Sequence, residues 1–325
     1  MKKWALLFVL FLLALSGCAG LNVWLLPPTR PLEEHALEGK GTPKVLLVDL
    51  DGVISFKEET DGLKLQTRPS KVAFFREALR KAEADSDIAG VIVRINSPGG
   101  TAAASDTIYH EIMSFKQKRK IPVYAYIMEV AASGGYYVAS ASDRIIASPT
   151  AITGSIGVLA MRFNMEGLLS KIGVFEETYK SGPKKDFWSP FRASTPEENK
   201  MLQEIIDKLY ARFVQVVYAN RQKSLTEREV KALADGRILA AGQALEARLI
   251  DQVSYLEETI DTMKKALGVE QARVVTYIRP KTFKSNIYSE SAMPLMGPQV
   301  INLISINADE LPLLSGVQFM YLWNP

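Results

Sequence analysis

The sequence predicts an α/β domain in which a mostly parallel sheet lies between layers of helices. Two strand-like runs, Val45–Leu50 and Ile88–Ile95, are each followed by a segment with apolar residues at helical spacing. A third run, 121–128, consists of β-branched and aromatic residues behind Pro122, which is the pattern of a strand that is covered on both faces. Strand, helix and strand in this order predict right-handed βαβ crossovers, and therefore parallel neighbours in one sheet.

The remaining elements follow from periodicity and from capping residues. Helices are predicted at 72–84, 102–118, 197–220 and 225–234, and further strands at 121–128 and 272–278. Pro196 fits the first turn of the long helix. Thr226, with Glu229 three residues on, forms a capping box. The C-terminal part of the domain is therefore expected to be mainly helical.

The chain begins with the features of a secretory signal. Lys2 and Lys3 precede the apolar run Trp4–Leu15, which is too short to cross a bilayer as a finished helix. Leu15–Cys18 resembles the lipobox of bacterial lipoproteins. This resemblance implies that residues 1–17 are a signal peptide and that the Cys18 sulfur is acylated. The protein is then extracytoplasmic and anchored to a membrane, on the periplasmic side if there are two membranes.

Composition divides the rest of the chain into a tether, a domain and a tail. Residues 18–43 contain prolines and charges without periodicity, which predicts a tether. Residues 44–280 are the predicted domain. The apolar tail, 281–325, either straps the domain or is disordered, or else occupies a groove or touches the membrane. The net charge of +3 is too small to suggest a nucleic-acid partner, and one cysteine allows no internal disulfide.

One serine stands where a buried strand is predicted to turn into a helix. Two alanines precede Ser133 and two glycines follow it, so the backbone can turn sharply and a carbonyl can approach Oγ. These are features of a nucleophile elbow, in which the next backbone N–H, here that of Gly134, points at the developing oxyanion. The alternative is that Ser133 only caps the helix and that its small neighbours only permit close packing.

A second glycine-rich turn follows the preceding strand. Its sequence, Asn96-Ser-Pro-Gly-Gly100, allows backbone N–H groups to face a ligand. A loop at the carboxyl end of a parallel strand, next to a helix N-terminus, is a place for an anion-stabilising site. We therefore expect Gly99 or Gly100 to face Gly134 as the other half of an oxyanion hole. Taken alone, such a loop is more often an ordinary turn.

The base for a serine nucleophile is not evident among the histidines. The sequence has two, His35 in the predicted tether and His110 in a predicted helix, where a structural role is expected. Lysine can replace histidine as the general base when desolvation keeps it neutral, so such a lysine must be enclosed. Lys180, Lys184 and Lys185 lie in one loop, and their spacing does not choose among them.

Four motifs together resemble one family of bacterial peptidases. They are I-N-S-P-G-G (95–100), A-A-S-G-G-Y-Y (131–137), T-G-S-I-G-V (153–158) and K-S-G-P-x-K-D (180–186). In this order and spacing they resemble signal peptide peptidase A in its short single-domain form. That family consists of Ser/Lys-dyad serine peptidases of family S49 with a ClpP/crotonase-like fold. The resemblance extends from about Lys44 to Tyr277.

The resemblance implies a role for three side chains. Ser133 matches the nucleophile of the family, and Lys185 matches its general base. Ser155 matches a hydroxyl that hydrogen-bonds to the lysine and orients it. On resemblance, and not on spacing, Lys185 is therefore preferred to Lys180 and Lys184. No cofactor and no metal are expected.

The resemblance also implies a function. The expected protein is a membrane-associated endopeptidase that degrades signal-peptide remnants or other short apolar peptides. It forms homo-oligomers with enclosed sites, which neighbouring subunits sometimes complete. One alternative is a related ClpP-like membrane peptidase that clips a specific partner protein. The other is a crotonase-like lipoprotein without peptidase activity, acting in binding or as an acyl-CoA enzyme.

Overall fold

The computed structural model describes residues 31–60, 67–280, 282–283, 286–288, 293–294 and 319–323. The predicted signal peptide, Cys18 and most of the tail lie outside this part of the chain. Within it, no helix is both long and apolar enough to cross a membrane.

Strands and helices alternate along the first half of the domain, and helices dominate much of the second. The strands are β1 Glu33–Glu38, β2 Lys44–Asp51, β3 Glu59–Thr60, β4 Thr67–Arg68, β5 Ile88–Ser97, β6 Gly99–Thr101, β7 Val123–Ala132, β8 Arg144–Ala147, β9 Ile152–Gly154, β10 Ile238–Ala240, β11 Gln252–Val253, β12 Arg273–Ile278, β13 Thr282–Phe283, β14 Met293–Pro294 and β15 Met320–Leu322. The helices are α1 Lys71–Ala84, α2 Ala102–Arg119, α3 Gly134–Ala139, α4 Glu166–Lys171, α5 Pro196–Arg221, α6 Glu227–Leu233, α7 Ala241–Glu246 and α8 Leu256–Leu267.

A nine-stranded sheet forms the centre of the described domain. Its main order is β1-β12-β2-β5-β7-β8-β11, while β9 pairs with β7 and β10 pairs with β9. All neighbours from β12 to β11 are parallel, as are β7 and β9. β1 and β10 are joined antiparallel to their neighbours. The predicted α/β class with a mostly parallel sheet is confirmed.

Helices cover both faces of this sheet. Along β2, Leu46 and Val48 belong to a hydrophobic cluster with α1, α2, α3 and α5, whereas Leu47 belongs to another cluster with α8. Successive residues of a strand face opposite sides of the sheet, so both sides are buried. This burial explains why the strand sequences are apolar at nearly every position.

Two helices of the second half, α5 and α6, each begin with a threonine capping box. Thr195 accepts the N–H of Glu198 at the start of α5, and Thr226 accepts that of Glu229 at the start of α6. Each glutamate in turn accepts the threonine N–H, at 2.8 and 2.7 Å respectively. Such caps satisfy backbone donors that have no partner inside the helix. The capping box predicted at Thr226 is confirmed.

The predicted tether over 18–43 is wrong at its C-terminal end. Residues Glu33–Glu38 form β1, which pairs with β12. Leu32 is buried, and Leu37 packs against the cluster that includes α8. An edge strand needs backbone partners on one side only and few apolar side chains, so its charged sequence did not reveal it. The ordered domain therefore begins before Lys44.

Candidate active site

Ser133 lies at the corner between β7 and α3. Its φ of 52° and ψ of −114° are unusual for an L-residue, at a cost of about 1–3 kcal/mol. Two backbone hydrogen bonds hold the corner: Ser133 N donates to Gly154 O at 2.8 Å, and Tyr137 N donates to Ser133 O at 2.9 Å. The Ser133 hydroxyl makes no capping hydrogen bond to α3. The alternative in which Ser133 only caps the helix therefore has no support in this geometry.

Close backbone packing explains why glycines follow Ser133. A Cβ on Gly134 would overlap Ser105 Oγ, and a Cβ on Gly135 would lie 2.8 Å from Ser97 O. Protein interiors are too densely packed to absorb such an overlap without moving the backbone. Larger residues would therefore push the corner away from β5.

The two glycine-rich turns meet beside Ser133. Gly99 has a φ of 105°, and a Cβ there would lie 2.7 Å from Gly134 N. A Cβ on Gly134 would lie 3.1 Å from Gly100 N. The N–H groups of Gly100 and Gly134 therefore lie close together, an arrangement that can serve as a pair of oxyanion donors. The structure brings these glycines together, while their part in catalysis stays a prediction.

We expect Gly99→Ala to lower kcat for peptide cleavage by about 100-fold or more, because its Cβ would displace the Gly134 N–H. Gly41→Ala is a matched control, since Gly41 also has a positive φ, of 80°, but has open space where the added methyl group would lie. Steady-state kinetics and the Tm of both variants make the comparison. Equal losses of activity in the two variants would contradict the predicted role of the 99–100 turn.

A segment of the C-terminal tail lies along this turn. β15 pairs antiparallel with β6, and Tyr321 lies opposite Gly100. On its other edge, Met320 exchanges two backbone hydrogen bonds with Leu159, at 3.0 and 3.1 Å. A Cβ on Gly134 would lie 3.0 Å from Tyr321 O. An extended chain is thus held on both edges, with one carbonyl oxygen against the glycine that follows Ser133.

Tyr321 fills an aromatic pocket. Its ring stacks on Tyr137 at a centroid distance of 5.1 Å and contacts Phe213 at 4.7 Å. Its hydroxyl donates to Leu209 O at 2.8 Å. Burial raises the pKa of Tyr321 well above its usual value. The sequence alone assigned no function to Tyr321, although its alternation with Phe319 is typical of a strand with one aromatic face.

Ser155 directly follows Gly154, whose carbonyl oxygen accepts the Ser133 N–H. Gly154 O accepts the Ser133 N–H, and Ser155 follows with a φ of 49°. Ser155 N donates to Arg237 O at 2.7 Å, and the residue is buried. The structure therefore brings Ser155 close to the predicted nucleophile.

Ion pairs hold the loop that carries the three candidate lysines. Lys180 donates to Asp186 at 2.7 Å, and Arg192 donates to the same carboxylate at 2.8 Å. Arg192 also pairs with Glu198 in the first turn of α5. The hydrogen bonds from Arg192 and Lys180 hold the pKa of Asp186 well below its usual value.

Lys185 differs from its two neighbours in this loop. Lys180 is paired with Asp186 and Lys184 with Glu197. Within the described part of the chain, the Lys185 side chain has no hydrogen bond or ion pair, so none joins it to Ser133 or Ser155. It is exposed in the single chain. The enclosure expected of a lysine base is therefore not provided by one copy of the protein.

The two histidines lie elsewhere. His35 is in the edge strand β1, and His110 is exposed on α2. In the ranges that the structure describes, no cluster of His, Cys, Asp and Glu side chains could hold a metal ion.

Comparison with known proteins agrees with the motifs. The sequence model of peptidase family S49 matches residues 115–270, which include Ser133, Ser155 and Lys185. A protein of Enterococcus faecium, named as a candidate signal peptide peptidase SppA, is 39% identical over 245 residues, which are 75% of this chain and 70% of that protein. A candidate protease of Methanocaldococcus jannaschii is 31% identical over 278 residues, 85% of this chain and 87% of that protein. A mutant of a membrane-bound stomatin-specific protease of known structure aligns with 68% of this chain and 85% of its own, at 18% identity and a TM-score of 0.43.

The sequence similarity covers the sheet, the serine corner and the lysine loop together. It extends well beyond the four motifs, since the relative from Methanocaldococcus jannaschii aligns with 85% of this chain. The chain belongs to peptidase family S49 and is a serine peptidase of the signal peptide peptidase A family.

Proposed function

We propose that this serine peptidase is a membrane-associated endopeptidase that cleaves extended apolar peptides, such as the remnants of signal peptides. One observation carries this proposal: the apolar segment 319–323 lies as a strand beside Ser133. Its backbone hydrogen bonds to the 99–100 turn can hold a peptide of any sequence, and pockets for alternate side chains supply the preference. The aromatic pocket around Tyr321 favours a large side chain.

The proposed mechanism uses Ser133 as nucleophile and Lys185 as general base. Neutral Lys185 accepts the hydroxyl proton as Ser133 Oγ attacks the carbonyl carbon, and Ser155 orients the amine. The N–H groups of Gly134 and of the 99–100 turn stabilise the oxyanion. When the C–N bond breaks, Lys185 returns the proton to the leaving amine. Water then attacks the acyl carbon and Lys185 accepts the water proton. Lys185 passes this proton to Ser133 Oγ as the bond between Oγ and the acyl carbon breaks.

The exposure of Lys185 supports an assembly in which another copy encloses the site. Apolar side chains are exposed along the preceding segment, 159–179, namely Leu159, Met161, Phe163, Met165, Leu168, Ile172, Val174, Phe175 and Tyr179. An exposed apolar surface of this kind is typical of a protein interface. Covering it with a second copy would desolvate the lysine loop and favour the neutral amine. We therefore propose a homo-oligomer.

Mixing two inactive variants tests whether copies share a site. If Lys185 serves the Ser133 of a neighbouring copy, refolded equal mixtures of Ser133→Ala and Lys185→Ala should regain about a quarter of wild-type activity, because random assembly places both intact residues together in one site of four. If the mixture stays inactive, the Ser133 and Lys185 of each site belong to the same copy. A fully active monomer in sedimentation would contradict the oligomer.

Membrane attachment through Cys18 is tested separately. A labelled fatty acid should be incorporated into the wild-type chain and not into Cys18→Ser. Unchanged labelling of Cys18→Ser would contradict the lipid anchor. Fractionation of cells that carry each form then reports whether extracytoplasmic membrane attachment depends on this residue.

A serine-reactive fluorophosphonate and a set of substrates test the activity. The probe should label the wild-type protein and not Ser133→Ala. Short apolar peptides should be cleaved faster than the same sequences inside folded domains. Selective cleavage of one folded partner, with little cleavage of the free peptides, would contradict a role in clearing peptides.

We expect Tyr321→Gly in the full-length chain to increase kcat/KM for a short apolar peptide about tenfold. The tail segment competes with added peptide at a high effective concentration, and loss of the buried ring weakens that competition. Trp323→Gly is the control, since it removes a ring of the same segment that is only partly buried. Equal effects of the two substitutions would mean that the Tyr321 pocket does not receive substrate.

A further inference from the structure

We infer that Ser97 is a positioning residue for catalysis: its hydroxyl fixes the peptide group between Gly99 and Gly100, whose N–H is one of the oxyanion donors. This inference rests on the proposed function and adds a side chain to its machinery. Ser97 is the last residue of β5. It acts through the backbone of the 99–100 turn and not by contact with the substrate.

Glycine gives the 99–100 turn little rigidity of its own. Gly99 has a φ of 105°, and glycine enters and leaves this region of backbone conformation at little cost because it carries no side chain. A donor that stabilises an oxyanion must already point at it before the reaction, since reorientation during the step would offset the gain. The turn therefore needs contacts from other residues to fix its peptide groups.

Residues 52–54, here called the outer segment, lie along the edge of the turn opposite the tail strand β15. Gly52 N donates to Asn96 O at 2.9 Å. Ile54 N donates to Gly99 O at 2.8 Å, and Thr101 N donates to Ile54 O at 2.9 Å. Ile54 is fully buried, so the outer segment is anchored in the core. Its bond to Gly99 O sets the direction of that carbonyl.

The Ser97 hydroxyl joins the outer segment to the turn. Its Oγ donates to Gly52 O at 2.6 Å and accepts the Gly99 N–H at 3.1 Å. Gly99 O lies farther from Oγ, at 3.4 Å, so the single hydroxyl hydrogen goes to Gly52 O. The whole residue is buried, so water does not compete for these bonds.

These bonds fix both sides of Gly99. Ser97 Oγ holds its N–H and Ile54 N holds its C=O, so neither of its two backbone dihedrals turns freely. The next peptide group is planar and trans, so the Gly100 N–H points opposite to the Gly99 carbonyl. That N–H therefore points away from the outer segment, to the side of the turn on which Gly134 lies.

The place of Ser97 in the sheet makes it a firm support. Its backbone pairs with Ala131 of β7, two residues before Ser133. Its carbonyl oxygen packs against the helix after the serine corner, since a Cβ on Gly135 would lie 2.8 Å from it. The backbone of Ser97 is thus held by the strand that ends in the serine corner, and its hydroxyl transfers that fixed position to the turn.

We expect Ser97→Ala to lower kcat for an apolar peptide by about 10- to 100-fold, the effect of misplacing a reacting group by up to about 1 Å. KM should change by less than about threefold, because the oxyanion donors act most strongly in the transition state. Ser140→Ala is the matched control, since Ser140 is also a buried serine whose hydroxyl donates to a backbone carbonyl. Equal kcat values for the two variants would overturn the inference.

A peptide aldehyde distinguishes this role from a general loosening of the groove. The probes are an acetylated leucine tripeptide that ends in an aldehyde and the same tripeptide ending in a primary amide. Ser133 Oγ adds to the aldehyde carbon, which places the former carbonyl oxygen at the oxyanion donors, whereas the amide binds without this addition. The tail segment competes equally with both probes, so the ratio of their Ki values reports the addition and the donors that stabilise it.

In Ser97→Ala the advantage of the aldehyde over the amide should shrink by about tenfold or more, since the donor is misplaced. The Ki of the amide should stay within about threefold of its wild-type value, because the amide does not use the donors in this way. If both Ki values rise by the same factor, Ser97 only stabilises the groove and the inference is overturned.

Ser97→Cys provides a second variant if circular dichroism and Tm show that Ser97→Ala does not fold. Its thiol is a weak donor and a weak acceptor, so the aldehyde advantage should shrink by about threefold or more, as for one net hydrogen bond. An unchanged advantage in Ser97→Cys would overturn the inference.

Failure of the proposed function gives a different result, because it shows in the wild-type protein. There the aldehyde and the amide would bind equally well, and Ser133→Ala would not weaken the aldehyde; the inference then falls with the function. Failure of the inference alone leaves the aldehyde advantage intact both in the wild-type protein and in Ser97→Ala.

Discussion

Ser133→Ala should abolish peptide cleavage, with a fall in kcat of at least about 10⁴-fold, because it removes the oxygen that attacks the carbonyl carbon. Cleavage of an apolar peptide, followed by chromatography, measures the loss. The fold should persist, because the backbone bonds of the corner to Gly154 and Tyr137 do not involve the Ser133 side chain.

Ser140→Ala is a matched control for this substitution. Ser140 is also buried, and its hydroxyl donates to Tyr136 O at 2.9 Å, just after Ser133 in the same chain segment. We expect Ser140→Ala to change kcat by less than about threefold, because its hydroxyl donates to the backbone at the end of α3 and contributes about one net hydrogen bond. If Ser133→Ala retains activity close to that of Ser140→Ala, then Ser133 is not the nucleophile.

Lys185→Ala should lower kcat by about 10²–10⁴-fold, the usual contribution of a positioned general base. Steady-state cleavage of an apolar peptide measures this loss. A double Ser133→Ala, Lys185→Ala variant should be no worse than the poorer single variant, because the two residues act in the same step.

The neighbouring lysine gives a sharp control. Lys184 is exposed and pairs with Glu197 on the surface, and such pairs contribute only about 0–1 kcal/mol. We therefore expect Lys184→Ala to keep kcat within about threefold of wild type. The opposite pattern, with loss in Lys184→Ala and not in Lys185→Ala, would assign the base to Lys184.

Much of the fold could be predicted because the sequence patterns of its central strands lie within short runs of residues. The strands β2, β5 and β7 are buried on both faces, so they read as continuous apolar runs. The serine corner was predictable for a related reason. Its turn requires small residues in immediate succession, and the close contacts of Gly134 and Gly135 show why nothing larger fits.

Two strands were not predictable because their partners are distant in sequence. β1 is held by β12, far along the chain, and its charged residues lie at an exposed edge. β15 is held by β6, which is equally remote in sequence. In both cases the backbone of another segment supplies the hydrogen bonds, and the strand's own residues do not identify that segment.

At the candidate site, the sequence could not show how the three lysines of the 180–186 loop differ in their contacts. From spacing alone, Lys180, Lys184 and Lys185 were equivalent, and only the resemblance to a family preferred Lys185. The folded chain separates them, because Asp186 and Glu197 pair with the other two. The ion pair of Lys184 depends on where the first turn of α5 lies relative to the loop. A short sequence motif does not predict that position.

The sequence by itself determined the α/β sheet, the serine corner and the family, because each depends on short runs of residues whose chemistry is local. Only the tertiary structure decided that the tail occupies the groove beside Ser133 and that Lys185 remains exposed and unpaired among the described residues of one chain. Both outcomes depend on contacts between segments far apart in sequence. Such contacts form only when the sheet has brought those segments together.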